Sequence, residues 1–197
     1  MKTVRLMLWA LVVLALAGAA LLFLRQPASQ PRPEPSVQAA FGGPFTLVDS
    51  GGRSFSSSQL AGKPYAIFFG FTHCPDVCPT TLARLVKLRG QLGGGDQALT
   101  ILFVTVDPQR DRPEAVRRYL SLFDEPIVGL TGSPAQIERV KRQFGIFSQN
   151  VPDGAGGYGV DHTSSVLLFD RSGKFVATIS PEENDEVALQ KLRRTVA

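Results

Sequence analysis

The 197-residue chain is long enough for one domain with a sizeable core plus shorter extra segments, and a composition of 44% hydrophobic and 19% charged residues is globular rather than disordered. The net charge of +4 gathers at the N-terminus, where Lys2, Arg5, Arg25 and Arg32 face only Glu34, while residues 41–197 hold 17 basic and 16 acidic side chains. That distribution excludes nucleic acid as a partner, which would call for Lys and Arg clustered on the folded domain.

Leu6 to Leu24 is an uncharged apolar run of 19 residues. As a helix it would span about 28 Å, close to the hydrocarbon thickness of a bilayer. Ala17-Gly18-Ala19 could pass for a cleavage site, but Leu21, Leu22, Phe23 and Leu24 prolong the run past a signal-peptide core. Residues 6–24 therefore read as an uncleaved transmembrane anchor, after a short tail over residues 1–5. Lys2 and Arg5 precede the run and only Arg25 closely follows it, so the positive-inside rule keeps the tail in the cytoplasm and exports the rest. Residues 25–40, with Pro27, Pro31, Pro33 and Pro35, read as a semi-rigid spacer.

A single domain is expected over residues 41–197. Asp49-Ser-Gly-Gly52 between apolar segments signals a hairpin. Residues 64–71 and 100–106 are continuous apolar runs of strand length, as in central strands buried on both faces. A helix is expected from Pro79 to Leu92, stopped by Gly93-Gly94-Gly95. A second, capped by Asp111 and Glu114, should run to about Phe123, and a third should start at Ser133-Pro134 and end near Phe144-Gly145. Asn150 to Val160 reads as a Gly-rich loop, residues 165–179 as a hairpin around Arg171-Ser-Gly173, and Ser180-Pro-Glu-Glu183 as the opening of a last helix. This order predicts an α/β domain, a mixed sheet with helices on both faces.

Both cysteines lie in one loop, Cys74-Pro-Asp-Val-Cys78, where a buried strand turns into a helix. In open α/β sheets the carboxyl end of a strand is where ligands bind. A disulfide here would close too short a loop to stabilise the fold much, so the pair reads as redox-active or metal-binding. The alternative, two inert buried thiols, does not account for their clustering beside Pro75 and Pro79. Cys78 directly precedes Pro79 and is expected at the helix N-cap, where partial positive charge and free N–H groups favour thiolate. One residue more than a C-x-x-C motif leaves room for a metal between the sulfurs and still permits a disulfide; the motif alone does not choose. Met1 and Met7 precede the domain, which excludes a thioether-rich metal site.

Of the two histidines, His73 adjoins Cys74, and adjacent residues rarely present both side chains to one ion, so a structural role suits it better. His162 lies between the Gly-rich loop and the strand from Ser165, from where it could neighbour the cysteine loop across the sheet. It is a candidate ligand; an ordinary surface histidine is the alternative. Asp161 is a candidate for orienting the His162 ring, with turn capping as its alternative. Asp107-Pro108 and Arg110-Asp111 read most simply as a turn and a helix cap, with a role flanking the site as the lesser alternative.

FGFTHCPDVCPTTL (69–82), VTVDPQRDRPE (104–114), GLTGSP (129–134) and YGVDHTSSVLLFD (158–170) together resemble the SCO/SenC family, over essentially the whole domain. The resemblance implies a thioredoxin-like, peroxiredoxin-like fold. It also implies one copper ion per chain, Cu(I) or Cu(II), held by Cys74, Cys78 and His162. The implied role is assembly of the dinuclear copper centre of cytochrome c oxidase subunit II. Arg112 and Thr163 depart from the family pattern, and neither side chain is expected to be a ligand; the Arg112 change is expected to alter a surface used in partner recognition.

Three functions compete. One is a copper metallochaperone, which would exchange copper with its recipient and with other periplasmic copper carriers. Another is a thiol–disulfide reductase that keeps the recipient's cysteines reduced and is itself served by thiol–disulfide reductants, with Cys74 and Cys78 as the redox pair. The third, a thiol peroxidase, lacks a recognisable peroxide-binding signature. A distant histidine favours the metallochaperone, since a redox dithiol needs none. Without a long Arg- and Ser-rich presequence, the bacterial cytoplasmic membrane is expected over the mitochondrial inner membrane, with the domain on the periplasmic side.

Overall fold

The computed structural model describes residues 41–94, 97–154 and 156–197, together with the helical residues Trp9, Leu14, Leu16 and Gly18. The anchor expected over residues 6–24 and the spacer over residues 25–40 otherwise lie outside the described residues. No helix among the described residues is long and apolar enough to cross a membrane. The chain divides into two units, Met1–Ser36 and Val37–Ala197, and the sheets, helices and site below belong to the second.

The expected first hairpin is present, with β1 (Thr46–Asp49) antiparallel to β2 (Ser54–Ser56). Its turn is held by the Asp49 carboxylate, which accepts from the backbone N–H groups of Gly51 and Arg53, each at 2.9 Å. A 3-10 turn at Ser57–Leu60 leads into β3 (Tyr65–Gly70), all six residues of which are buried. β3 runs parallel to β4 (Thr100–Thr105), which runs parallel to β5 (Val128–Thr131). The hairpin of β8 (Val166–Phe169) and β9 (Phe175–Ile179) adds antiparallel to β3. The resulting mixed sheet has the order β2-β1-β5-β4-β3-β8-β9.

Four helices cover it: α1 (Val77–Gly90), α2 (Pro113–Leu120), α3 (Pro134–Gln143) and α4 (Asp185–Val196). α1 and α2 join successive parallel strands stepping in the same direction, so the right-handed crossover rule places both on one face. Gly129 of β5 makes room for α2: a Cβ there would come within 2.5 Å of Val116 and Leu120. α4 packs beside α1 and over β8 and β9. Phe103 pairs with both Gly129 and Phe68 across the ladder, so these share the α2 face and Phe69 points the other way. There Phe144, at the end of α3, meets the rings of Phe69 and Phe169 at 5.7 and 5.6 Å. The α/β class, the mixed sheet and the helices on both faces are as the sequence predicts.

Four local expectations are corrected. The helix after the cysteine loop starts at Val77 with Asp76 as its cap, so Cys78 lies inside the first turn rather than at the N-cap. Pro79 does not prevent this, because the N–H it lacks would have no partner in a first turn. Asp111 does not cap α2; that position is Arg112, without a side-chain cap, and the Asp111 carboxylate is drawn into the core by three donors. The last helix is capped by Asn184, which accepts from the Glu186 N–H at 2.7 Å, and Ser180 bonds Glu182 instead.

The fourth correction bears directly on function. Residues 150–160 are not a loop but most of a separate two-stranded ribbon, β6 (Ser148–Pro152) with β7 (Tyr158–His162). Three of the four glycines lie at its tip, where Gly154 and Gly156 take positive φ of 76° and 91°, and Gly159 lies within β7 opposite Val151. The chain enters the ribbon through a Schellman turn after α3. Ile146 N–H bonds the Lys141 carbonyl at 2.8 Å and Gly145 N–H that of Arg142 at 3.3 Å. Gly145 supplies the required positive φ of 63°.

Candidate metal centre

β3 ends in the cysteine loop. The loop is tied down at Thr72, whose backbone N–H and hydroxyl both donate to the buried Asp111 carboxylate, at 2.9 and 2.6 Å. Asp111 takes a third bond, from the Thr105 hydroxyl at 2.6 Å, and so fastens the end of β3 to the end of β4. Cys74 is half-buried at the surface of the loop, and Cys78 is fully buried on α1. Gly70 leaves the space that Cys78 needs, since a Cβ there would lie 2.9 Å from Sγ.

His162 ends β7, opposite Ser148. The base of the ribbon is closed by Thr163 N–H to the Phe147 carbonyl at 3.0 Å and Phe147 N–H to the Thr163 hydroxyl at 3.1 Å. Nδ1 of His162 lies 3.0 Å from the Thr163 carbonyl, which makes Nδ1 the protonated nitrogen and turns the Nε2 lone pair toward Cys78 Sγ, 3.5 Å away. Phe71 and Phe68 meet the ring from the side, at 5.7 and 6.2 Å between centroids. Donor atoms of Cys74, Cys78 and His162 lie within 4.8 Å of one another, and both cysteines are free thiols. Among the described residues no other group of three or more His, Cys, Asp or Glu side chains converges in this way.

The two thiols are electrically unequal. A hydrogen bond from Cys78, helped by His162 and by the backbone N–H groups of Cys78 and Asp76, holds the Cys74 thiol well below the usual range, at about 4. The same Cys74–Cys78 hydrogen bond, then burial, pushes Cys78 up. In the reduced pair Cys74 is therefore the thiolate and Cys78 keeps its proton. That leaves a half-buried anionic sulfur beside a fully buried one, with the imidazole lone pair turned toward Cys78: a donor set for a soft metal ion, and equally a nucleophile poised for disulfide exchange.

Sequence reasoning brought forward Cys74, Cys78 and His162, and the structure places all three together. His73 stays outside the group: it is exposed, and its Nδ1 meets the Thr72 hydroxyl at 3.1 Å. Asp161 is exposed and projects to the other side of β7 from its neighbour, so the Thr163 carbonyl orients the His162 ring in its place. A role flanking the site is the lesser sequence reading of Asp107 and Arg110 and is not read for Tyr158, yet Arg110 donates to the Tyr158 carbonyl at 2.8 Å and so ties the ribbon to the loop after β4. The signal available was Asp107-Pro-Gln-Arg110, read as a turn without its distant partner.

A protein-family model described as SCO1/SenC matches residues 33–197. The mitochondrial protein SCO2 of Saccharomyces cerevisiae is 35% identical over 160 residues, 80% of this chain and 53% of its own length. The chain thus spans about half of that relative. The structure of Bradyrhizobium japonicum ScoI with copper bound superposes with a TM-score of 0.71 at 40% identity, covering 79% of this chain and 99% of the other. That of BsSco, described as a member of the Sco family of cytochrome c oxidase assembly proteins with a disulfide switch, gives 0.60 at 25% identity over 78% and 92% of the two chains. The chain belongs to the SCO1/SenC family.

Proposed function

We propose that this protein is a membrane-anchored copper metallochaperone that delivers copper to the dinuclear centre of cytochrome c oxidase subunit II. The observation that carries the reading is the meeting of two thiols and one imidazole, from segments 84 residues apart, within 4.8 Å. Thiolates suit Cu(I), and the imidazole adds a donor acceptable to Cu(II). Three donors leave an open position, so a recipient's thiolate can enter as one of the chain's own leaves, and copper passes without being released. Cys74, half-buried and ionised, is the sulfur that arriving copper meets first; Cys78 gives up its proton as the site closes. The copper-bound relative and the oxidase-assembly role ascribed to BsSco support the same reading. The anchor and export are proposed from residues 1–25. Recovery of a soluble periplasmic form beginning near Ala20 would refute the anchor.

An anaerobic titration of the reduced 197-residue chain with Cu(I) and Cu(II) tests the copper reading. One copper per chain is expected, and oxidising Cys74 and Cys78 to a disulfide should abolish Cu(I) binding. Unchanged Cu(I) affinity in the disulfide form would refute the assigned site.

One observation favours a second reading, thiol–disulfide reduction of the recipient's cysteines. Cys74 is an accessible thiolate with a resolving thiol beside it, the arrangement that thiol–disulfide exchange requires.

A further inference from the structure

His162 reaches the thiols on a ribbon that the seven-stranded sheet does not hold. Among the described residues β6 and β7 pair only with each other, so no ladder hydrogen bond there sets how the ribbon lies over the domain. Tyr158, Val160 and His162 alternate along β7 and share its inward face. Val160 is buried at the middle of that face. Tyr158, about 13 Å along the strand from His162, is where the ribbon is clasped.

The clasp has three parts. Arg110 Nη1 donates to the Tyr158 carbonyl at 2.8 Å, and the guanidinium carbon lies 3.8 Å from the centre of the Tyr158 ring. The Tyr158 hydroxyl donates to Asp107 Oδ1 at 3.1 Å. Asp107, 4% exposed, also receives Nε of Arg110, which fixes the guanidinium plane. The guanidinium carbon also lies 5.9 Å from the centre of the Phe71 ring, and Phe71 meets the His162 ring edge-on. One short loop after β4 thus grips both halves of the centre. Asp111 holds Thr72, two residues before Cys74, and Asp107 with Arg110 holds Tyr158, on the strand that ends in His162.

We propose that Arg110, braced by Asp107 and clasped on Tyr158, is a positioning residue for His162: it holds the β6–β7 ribbon in the orientation at which the imidazole meets the two thiols. Releasing the clasp turns a three-donor centre into a two-thiolate one. The metal part of this inference rests on the copper reading above; the clasp itself belongs to the metal-free chain.

The test uses the reduced 197-residue chain and Arg110→Gln. Without metal, hydrogen exchange of the β6 and β7 amides should accelerate about tenfold or more, as loss of a charged hydrogen bond implies, while β3 and β4 exchange as before. With Cu(II), the thiolate-to-copper absorption and the nitrogen hyperfine coupling should move toward those of His162→Ala, while Cu(I) is still bound. Arg110→Lys keeps the charge but not the planar fork, and should rescue neither signal. Should Arg110→Gln fail to fold, Tyr158→Ala, which removes the ring stack and the hydroxyl bond to Asp107 but keeps the Arg110 bond to the backbone carbonyl, carries the same measurements with a smaller acceleration expected. Ribbon exchange unchanged in the folded variants overturns the clasp. Accelerated exchange with an unaltered Cu(II) spectrum overturns the positioning of His162. If the unaltered chain binds no copper, the copper reading falls, and the exchange measurement alone still decides the clasp.

Discussion

Nε2 of His162 lies 3.5 Å from Sγ of Cys78, a residue 84 positions earlier; the cysteine sits in the first turn of α1 and the histidine on a strand that pairs with no strand of the large sheet. The loop and helix that carry the cysteine follow β3, inside the large sheet; the histidine comes at the end of a ribbon outside it. The loop after β4 bonds to the segment that leads to each, through Asp111 to Thr72 and through Arg110 to Tyr158. Donor geometry is therefore set by buried polar contacts rather than by the ladder, and substitutions at those contacts should alter the centre without changing a ligand.

Gly70→Ala should displace Cys78. The new Cβ would stand 2.9 Å from Cys78 Sγ, 2.9 Å from Phe103 and 3.0 Å from Phe68, all inside van der Waals contact. Overpacking of this kind costs about 1–3 kcal/mol. Urea denaturation should show that loss, and Cu(I) affinity should fall with it. Wild-type stability and affinity would mean that this contact does not fix Cys78.

Asp111→Ala should be more damaging than its distance from the metal donors suggests. It strands the Thr72 N–H, the Thr72 hydroxyl and the Thr105 hydroxyl, all of which point at the lost carboxylate. Each stranded buried donor costs about 1–3 kcal/mol, so the total should reach about 3 kcal/mol or more. Asp111→Asn, which keeps one acceptor oxygen, should lose less. Denaturation of both variants checks the order, and faster alkylation of Cys78 would report the loosened loop.

The thiol pair should make the reduced, metal-free chain most stable near pH 9. In the fold Cys74 drops from 9.0 to about 4, so between those values the unfolded chain binds a proton that the native chain does not. Its contribution is complete above 9.0 and is lost as pH falls toward about 4. Cys78 is raised from 9.0, so its contribution is present below that value and is lost as pH rises past it. Denaturation midpoints across this range should climb to a maximum and then fall, and Cys74→Ser should remove the climb. A midpoint indifferent to pH below 9.0 would show that Cys74 is not ionised in the fold.

Most of the large sheet was legible because its signals are local. The apolar runs over residues 64–71 and 100–106, the Asp49-Ser-Gly-Gly52 turn and the Ser133-Pro134 cap each announce their own structure, and β3, β4, the first hairpin and α3 follow. The misses were decided by distant partners. Asp111 looks like a cap because the Thr72 and Thr105 groups that capture it are invisible along the chain. Residues 150–160 look like a loop because five Gly and Asp residues outweigh the alternation of Tyr158 and Val160, which pays off only once Val160 has a core to enter. The thiols were legible from spacing alone, whereas an ordinary surface role was the commoner reading of His162 until the resemblance singled it out.

His162→Ala should separate copper delivery from dithiol redox chemistry. The substitution leaves Cys74, Cys78 and the start of α1 in place. Two thiolates suffice to hold Cu(I), so its binding should weaken but survive. Cu(II) prefers a sphere richer in nitrogen and oxygen, so losing the imidazole at the site should cost it far more and change its thiolate-to-copper absorption. Disulfide exchange depends on the thiolate and its access. Cys74 owes its low value first to Cys78 and only then to His162, so the rate of exchange with a model disulfide should stay within about tenfold. In copper-limited cells the variant should then fail to support oxidase maturation while still reducing model disulfides. If His162→Ala instead keeps wild-type Cu(II) binding and oxidase maturation, the imidazole is not a ligand. Reduction of the recipient's cysteines would then become the better account of why Cys74 and Cys78 face one another here.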